Sequence, residues 1–213
     1  MKRRFASVCI LFCVLLLSVS AHAWVTKVID SPDSGGQCGE DSSISVDSVG
    51  AIHISSYNED LDALQYSTNA TGAWETILVG EPFAGGSYTS IAIDSLDNVH
   101  ISYIANIVSG VGDLKYATNA SGSWVTETID SGWGKTSIAV DSSDNVHISY
   151  VNYVEVDVGV KYATNASGSW VTEAVVAMGT RPSIAVDSAE IIHISYYGSS
   201  SLSLEYVTRA CPK

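Results

Sequence analysis

One histidine returns through this chain at an almost fixed interval: His53, His100, His147 and His193 are spaced by 47, 47 and 46 residues. The same phrase surrounds each. Residues 137–150 read SIAVDSSDNVHISY, a variable loop follows, residues 160–176 read VKYATNASGSWVTEAVV, and the phrase restarts at Ser183. A period of this length marks an array of supersecondary units that bury their apolar faces against one another.

Within a copy, four runs alternate with period two and are rich in Val, Ile, Thr and Tyr. In copy three they are residues 137–141, 145–150, 160–164 and 170–176. Such runs read as short strands. Between them lie turns such as Asp94-Ser95-Leu96-Asp97-Asn98 and Asn119-Ala120-Ser121-Gly122, whose side chains bond local backbone or tolerate positive φ. Each copy is therefore a four-stranded antiparallel meander, the form of a β-propeller blade.

The predicted fold is all-β: a four-bladed β-propeller forming a single domain over residues 24–213, with blades at about 43–79, 89–130, 136–176 and 183–208. Residues 24–30, WVTKVID, match the fourth strand WVTETID at 124–130, so the N-terminal strand is expected to complete the last blade and close the ring. A monomer is the favoured reading. The alternative is two chains pairing into an eight-bladed ring.

Residues 1–23 have the order of a signal peptide: basic Lys2, Arg3 and Arg4, an apolar run, then Ala21-His22-Ala23. Cleavage before Trp24 and a secreted or periplasmic location are expected, an uncleaved anchor being the alternative. Three of the ten basic residues and none of the 23 acidic ones precede Trp24, leaving a net charge of −16. That surface repels phosphate backbones and anionic membranes, which argues against nucleic acid and membrane insertion. Cys9 and Cys13 leave with the leader. Cys38 and Cys211, near opposite ends of an exported chain, are expected to form a disulfide.

Ser67, Asn69 and Trp74 in copy one, Asn119, Ser123 and Trp124 in copy two, and Asn165, Ser169 and Trp170 in copy three enter the fourth strand with a common spacing. This turn resembles the Asp-box of bacterial-neuraminidase-type repeats, Ser-x-Asp-x-Gly-x-Thr-Trp. Asn replaces the Asp throughout, and Gly72, Gly122 and Gly168 come one place later than the family's Gly. The resemblance implies propeller topology and a structural turn. Some members are sialidases, which hold the substrate carboxylate with three arginines; only Arg181 and Arg209 follow residue 23 here, so that activity is not carried over.

Four symmetry-related histidines invite a metal, but their Ile and Val neighbours suit a packed interior. The preferred reading is structural: each bonds within its own blade, to Asp47, Asp94, Asp141 or Asp187 or to Ser55, Ser102, Ser149 or Ser195. Trp24, Trp74, Trp124 and Trp170, which begin repeated strands, belong to the core. The turns holding Asp94, Asp97, Asp141 and Asp144 offer oxygens to calcium. Gly50 and Glu190 interrupt that set, and an Asp-stabilised hairpin without cofactor is preferred. Asn69, Asn119 and Asn165 open formal glycosylation sequons.

Function is sought where the copies disagree, in the loops between second and third strands and in the inter-blade connections, which share one face in this topology. That face carries Trp133, Tyr88, Tyr153 and Tyr197 with Arg181, Asp113, Glu155 and Asp157. Trp133, between Gly132 and Gly134, is the one tryptophan outside the repeat pattern. Aromatic rings edged by polar groups suit sugar faces. The expectation is a secreted, non-catalytic, lectin-like carbohydrate-binding module. A protein-interaction or surface-assembly scaffold is the alternative, and a loop-built glycan hydrolase the third reading.

Overall fold

The computed structural model describes residues 24–31, 37–152 and 159–210. The expected signal peptide, Tyr153, Glu155, Asp157 and Cys211 lie outside them. Unit one comprises β1 (Cys38–Val46), β2 (Ile52–Asn58), β3 (Ala63–Thr68) and β4 (Glu75–Leu78); unit two comprises β5 (Gly85–Ile93), β6 (Val99–Val108), β7 (Val111–Thr118) and β8 (Val125–Gly132). Unit three is β9 (Thr136–Val140), β10 (Val146–Asn152), β11 (Gly159–Thr164) and β12 (Val171–Ala177), and unit four is β13 (Gly179–Val186), β14 (Ile191–Gly198) and β15 (Ser203–Ala210).

Every consecutive pair within a unit is antiparallel, so each unit is the meander that its alternating sequence dictates. Units one and two are joined by one parallel pairing, Ala63 with Gly85. Backbones approach closely there: a Cβ on Gly86 would stand 2.2 Å from the Leu64 nitrogen.

The core lies between units. Leu64 and Tyr66 of unit one pack with Ile91, Val99, Ile101 and Tyr103 of unit two. Leu114 and Tyr116 meet Ile138, Ile148 and Tyr150 of unit three, and Val160 and Tyr162 meet Ile184, Ile192 and Ile194 of unit four. Trp124 stands edge-on to Tyr66 at 4.9 Å, and Trp170 edge-on to Tyr116 at 5.1 Å, a favoured aromatic geometry. Polar contacts repeat with the same offset. The Ser43, Ser90 and Ser137 hydroxyls accept the Ile91, Ile138 and Ile184 amides of the next unit, each at 3.2 Å.

The expected closed four-bladed propeller is not formed. The strands make three sheets of eight, four and three strands, none of them closed, and β15 is the edge of the last. Residues 24–31 form no strand. The reason shows in burial. Ile91, Ile138 and Ile184 are 6%, 7% and 8% exposed because a preceding unit covers them, whereas Ile44 is 62% exposed. At the other end Tyr206 is 59% exposed, against 7%, 6% and 2% for Tyr66, Tyr116 and Tyr162. Ring closure would bury both ends. Four units instead form an open row.

Candidate functional site

The Asp turns and Asn turns lie at one end of the units, and the loops joining second to third strands lie at the other with the inter-unit connections. Backbone bonds tie the connections between units to the second-to-third-strand loops or the strand ends beside them: Phe83 N–H to Leu61 O at 2.9 Å, Asn106 N–H to Ala84 O at 3.1 Å, Trp133 N–H to Val151 O at 2.9 Å and Ser199 N–H to Met178 O at 2.7 Å. The described variable segments thus share one face, tied together by backbone bonds.

On it Tyr88 and Trp133 come together, ring centroids 6.4 Å apart at 53°. Both are half-buried. Tyr88 lies within the first strand of unit two, β5, with φ 54°, and Asp41 and Arg181, at the equivalent places in units one and four, have φ 47° and 53°. A register irregularity in each strand accompanies them. Left-handed φ at non-glycine residues stores strain that surrounding contacts must hold; here the Asp41 carboxylate accepts the Tyr88 amide at 2.9 Å. Asp41, Tyr88 and Lys135 border a small recess of about 100 Å³.

A cleft of about 420 Å³ opens between units two and three, lined by Asp130, Ser131, Asn152, Lys161 and the edge of β12. Its polar groups are prearranged. Tyr150 O–H donates to Asp130 Oδ2 at 2.6 Å, the Lys161 ammonium bonds the same oxygen, and Asn152 Nδ2 donates to Ser131 O at 2.9 Å. Burial works to raise the Asp130 pKa, but the bonds from Lys161 and Tyr150 outweigh it and hold the carboxyl below its usual range. Asp130 is therefore a fixed anion and acceptor. From Ser131 in the cleft wall the chain leads through Gly132 to Trp133.

Of the sequence candidates, Tyr88 and Trp133 are thus brought together. Asp113 lies apart in the β6–β7 hairpin, accepting Asn106 Nδ2 at 2.7 Å. Arg181 and Tyr197 lie in unit four on paired strands, both exposed. Sequence reasoning missed Asp130, Lys161 and Asn152. A signal existed: Asp130 repeats Asp30, and Lys161 repeats Lys115 and Gln65 in register.

No protein-family model matches this chain, and no curated protein matches it in sequence. Solved structures do match. A Hadza microbial sialidase aligns over 82% of this chain and 45% of its own, with TM-score 0.58 and 9% identity. The α-L-arabinofuranosidase Arb93A from Fusarium graminearum aligns over 80% of this chain and 58% of its own, with TM-score 0.52 and 10% identity. A fucose lectin from Kordia zhangzhouensis aligns over 63% of this chain and 99% of its own, with TM-score 0.44 and 16% identity. The first two likenesses show the fold alone. The chain spans about half the length of the sialidase and somewhat more of the arabinofuranosidase.

The opposite end carries the histidines. His147 Nε2 lies 3.0 Å from Asp141 Oδ2 and Nδ1 lies 2.5 Å from the Tyr162 hydroxyl, and His53, His100 and His193 repeat this with Asp47 and Tyr66, Asp94 and Tyr116, and Asp187 and Tyr206. A carboxylate only accepts, so Nε2–H donates to the Asp and Nδ1 accepts the phenol. Burial pushes the Tyr116 phenol up to about 12, the reverse of an activated nucleophile. The turn carboxylates are similarly engaged. Asp97 accepts the Ser48 amide and hydroxyl of the preceding unit, and Asp144 those of Ser95. Asp94 and Asp141 accept backbone amides of their own turns and the Asn98 and Asn145 side chains. Cys38 pairs with Asn58 at the loop-bearing end of its sheet, whereas Ala210, the last described residue before Cys211, pairs with Ile191 at the other end of its own.

Proposed function

We propose that this chain is a non-catalytic carbohydrate-binding module whose site is the Tyr88–Trp133 pair with the adjoining Asp130–Lys161 cleft. One observation carries the reading: two half-buried rings meet, Tyr88 on left-handed backbone and Trp133 held through its amide, and the chain leads from Trp133 back through Gly132 to Ser131 in a cleft whose anion, cation and amide are already positioned. A ring covers the apolar C–H face of a sugar while such groups fix its hydroxyls. That two solved structures of similar fold are named as a sialidase and an arabinofuranosidase supports glycans as the ligand class.

Binding is favoured over hydrolysis by the state of Asp130. Glycoside hydrolysis usually needs two carboxyl groups flanking the bond, one of them protonated. Asp130 is the cleft's carboxylate among the described residues, and its bonds to Lys161 and Tyr150 keep it ionised. Arg181 lies at the loop-bearing end and Arg209, paired with Glu173, near the other. The order of residues 1–23 supports export.

A glycan-array screen with and without calcium tests the proposal. The expected result is selective binding that Trp133→Ala weakens at least about tenfold, equivalent to about 1.4 kcal/mol, with an unchanged strand spectrum. Silence from a folded sample, or full binding by Trp133→Ala, overturns it.

A further inference from the structure

The two ends of the row are complementary. We infer that they join: β15 of one copy takes residues 24–30 of a second copy as its fourth strand, so that copies associate head to tail. This does not depend on the ligand.

Residues 24–30 already sit on unit one as β8 sits on unit three. Asp130 of β8 bonds Lys161 on the third strand of the next unit, and Asp30 accepts Gln65 Nε2, at the equivalent position, at 3.2 Å. Glu127 of β8 accepts the indole N–H of Trp170 at 2.6 Å, and Lys27 lies 5.9 Å over the Trp74 ring. Residues 24–30 thus occupy the place of a fourth strand preceding unit one. Among the described residues they pair with no strand, and Trp24, Val25 and Val28 are fully or largely exposed.

At the far end β15 lacks what 24–30 offers. It is an edge strand with exposed Leu204 and Tyr206, and exposed edges invite pairing with another chain. The register follows from β7–β8, where Thr118 faces Val125 and Ala117 faces Thr126. By repeat equivalence Thr208 faces Val25 and Val207 faces Thr26.

The same joint satisfies the ends elsewhere. Tyr66 and Tyr116 are covered by the tryptophans of their following units; Trp74 of the second copy stands where it would cover Tyr206. Ile44, with neighbouring Val46, is the exposed counterpart of Ile184, whose amide bonds Ser137. Its own amide would meet Ser183 of the first copy. One internal bond is not reproduced. Asp97, Asp144 and Glu190 accept a serine of the preceding unit, and the corresponding residue of unit one is Gly50. The joint is therefore weaker than an internal one and reversible. A head-to-tail contact of this kind repeats until it closes.

Sedimentation of the purified protein up to about 100 µM, where a 10 µM dissociation constant gives mostly joined copies, tests the inference. The expected result is at least a doubling of mass with concentration, abolished by deleting residues 24–31 and by Val25→Asp with Val28→Asp, which keeps the segment in place. Cross-linking fixes the register: in a Cys38→Ser, Cys211→Ser background, oxidising a mixture of Thr26→Cys and Val207→Cys proteins should give a covalent mixed dimer. A monomer at every concentration, association that survives both changes, or no mixed dimer overturns the inference.

Discussion

Replacing serine by alanine at one repeated position should have opposite effects in neighbouring units. Ser55 Oγ bonds Thr89 Oγ1 at 2.7 Å and Ser102 Oγ bonds Thr136 Oγ1 at 2.8 Å, each across a unit boundary. Ser149, their equivalent in unit three, is fully buried, and its hydroxyl is the buried side-chain polar atom without a partner among the described residues. The cause is Pro182, which stands where Thr89 and Thr136 stand and offers no hydroxyl. Thr136 O–H donates to Tyr88 O at 2.9 Å, so Ser102 donates to Thr136, and Ser102→Ala loses a net bond of about 1 kcal/mol. Ser149→Ala removes a hydroxyl whose unmet desolvation costs about 1–3 kcal/mol and should stabilise by about 1 kcal/mol after lost packing. At about 2–4 °C per kcal/mol for a domain of this size, the two melting temperatures should part by about 4–8 °C. Urea denaturation with an unchanged m-value checks that only stability moved. Pro182→Thr should help with Ser149 present and not with Ser149→Ala, a coupling that a double-mutant cycle isolates. Equal losses for Ser149→Ala and Ser102→Ala would refute the reasoning, because Ser149 would then be making a bond.

Acid should weaken the fold through the turn carboxylates. Burial works to raise Asp94 and Asp141, but bonds from the Asn98 and Asn145 side chains, the turn amides and the histidines outweigh it and hold both below the usual carboxylate range. A depressed folded pKa contributes stability that is complete above about pH 4 to 5 and lost as pH falls through the lowered value. Denaturant midpoints of the wild type and Asp141→Asn should thus converge on acidification below about pH 4; a gap that widens there would contradict the sign. Gly86→Ala should cost about 3 kcal/mol or more, since its Cβ would overlap Leu64 backbone. Gly110→Ala, with φ +84° and open space around it, should cost only about 1 kcal/mol. Equal melting temperatures for these two variants would remove the close approach as the reason for Gly86.

Strand order and turn chemistry were legible because they are local. Period-two alternation in residues 145–150 and 160–164 sets which face packs, and the β10–β11 register follows it. The variable face was legible for the same reason: the meander places loops and connections together whatever their sequence. Tyr88 and Trp133 could be named from the copies' disagreement, but their approach could not, since it rests on an irregularity in β5 and a left-handed φ at Tyr88 that tyrosine does not announce. Asp130 and Lys161 were hidden by repetition. Each looks like repeat consensus, and they become a pair only because unit two's last strand lies on unit three's third.

Ring closure was the expectation that failed, and the failure has a general cause. In a repeat array each unit touches only its neighbours, so the sequence of a unit encodes the meander and the joint, and the number of units per turn emerges from the sum of small rotations at the joints. Those rotations depend on contacts such as Trp124 on Tyr66 and Ser43 to the Ile91 amide, which are the same in an open row and in a closed ring. The match of residues 24–30 to 124–130 is a likeness of sequence to a fourth strand, although residues 24–31 form no strand here. It carries no information on whose third strand it completes, because every joint in the array is written in the same residues.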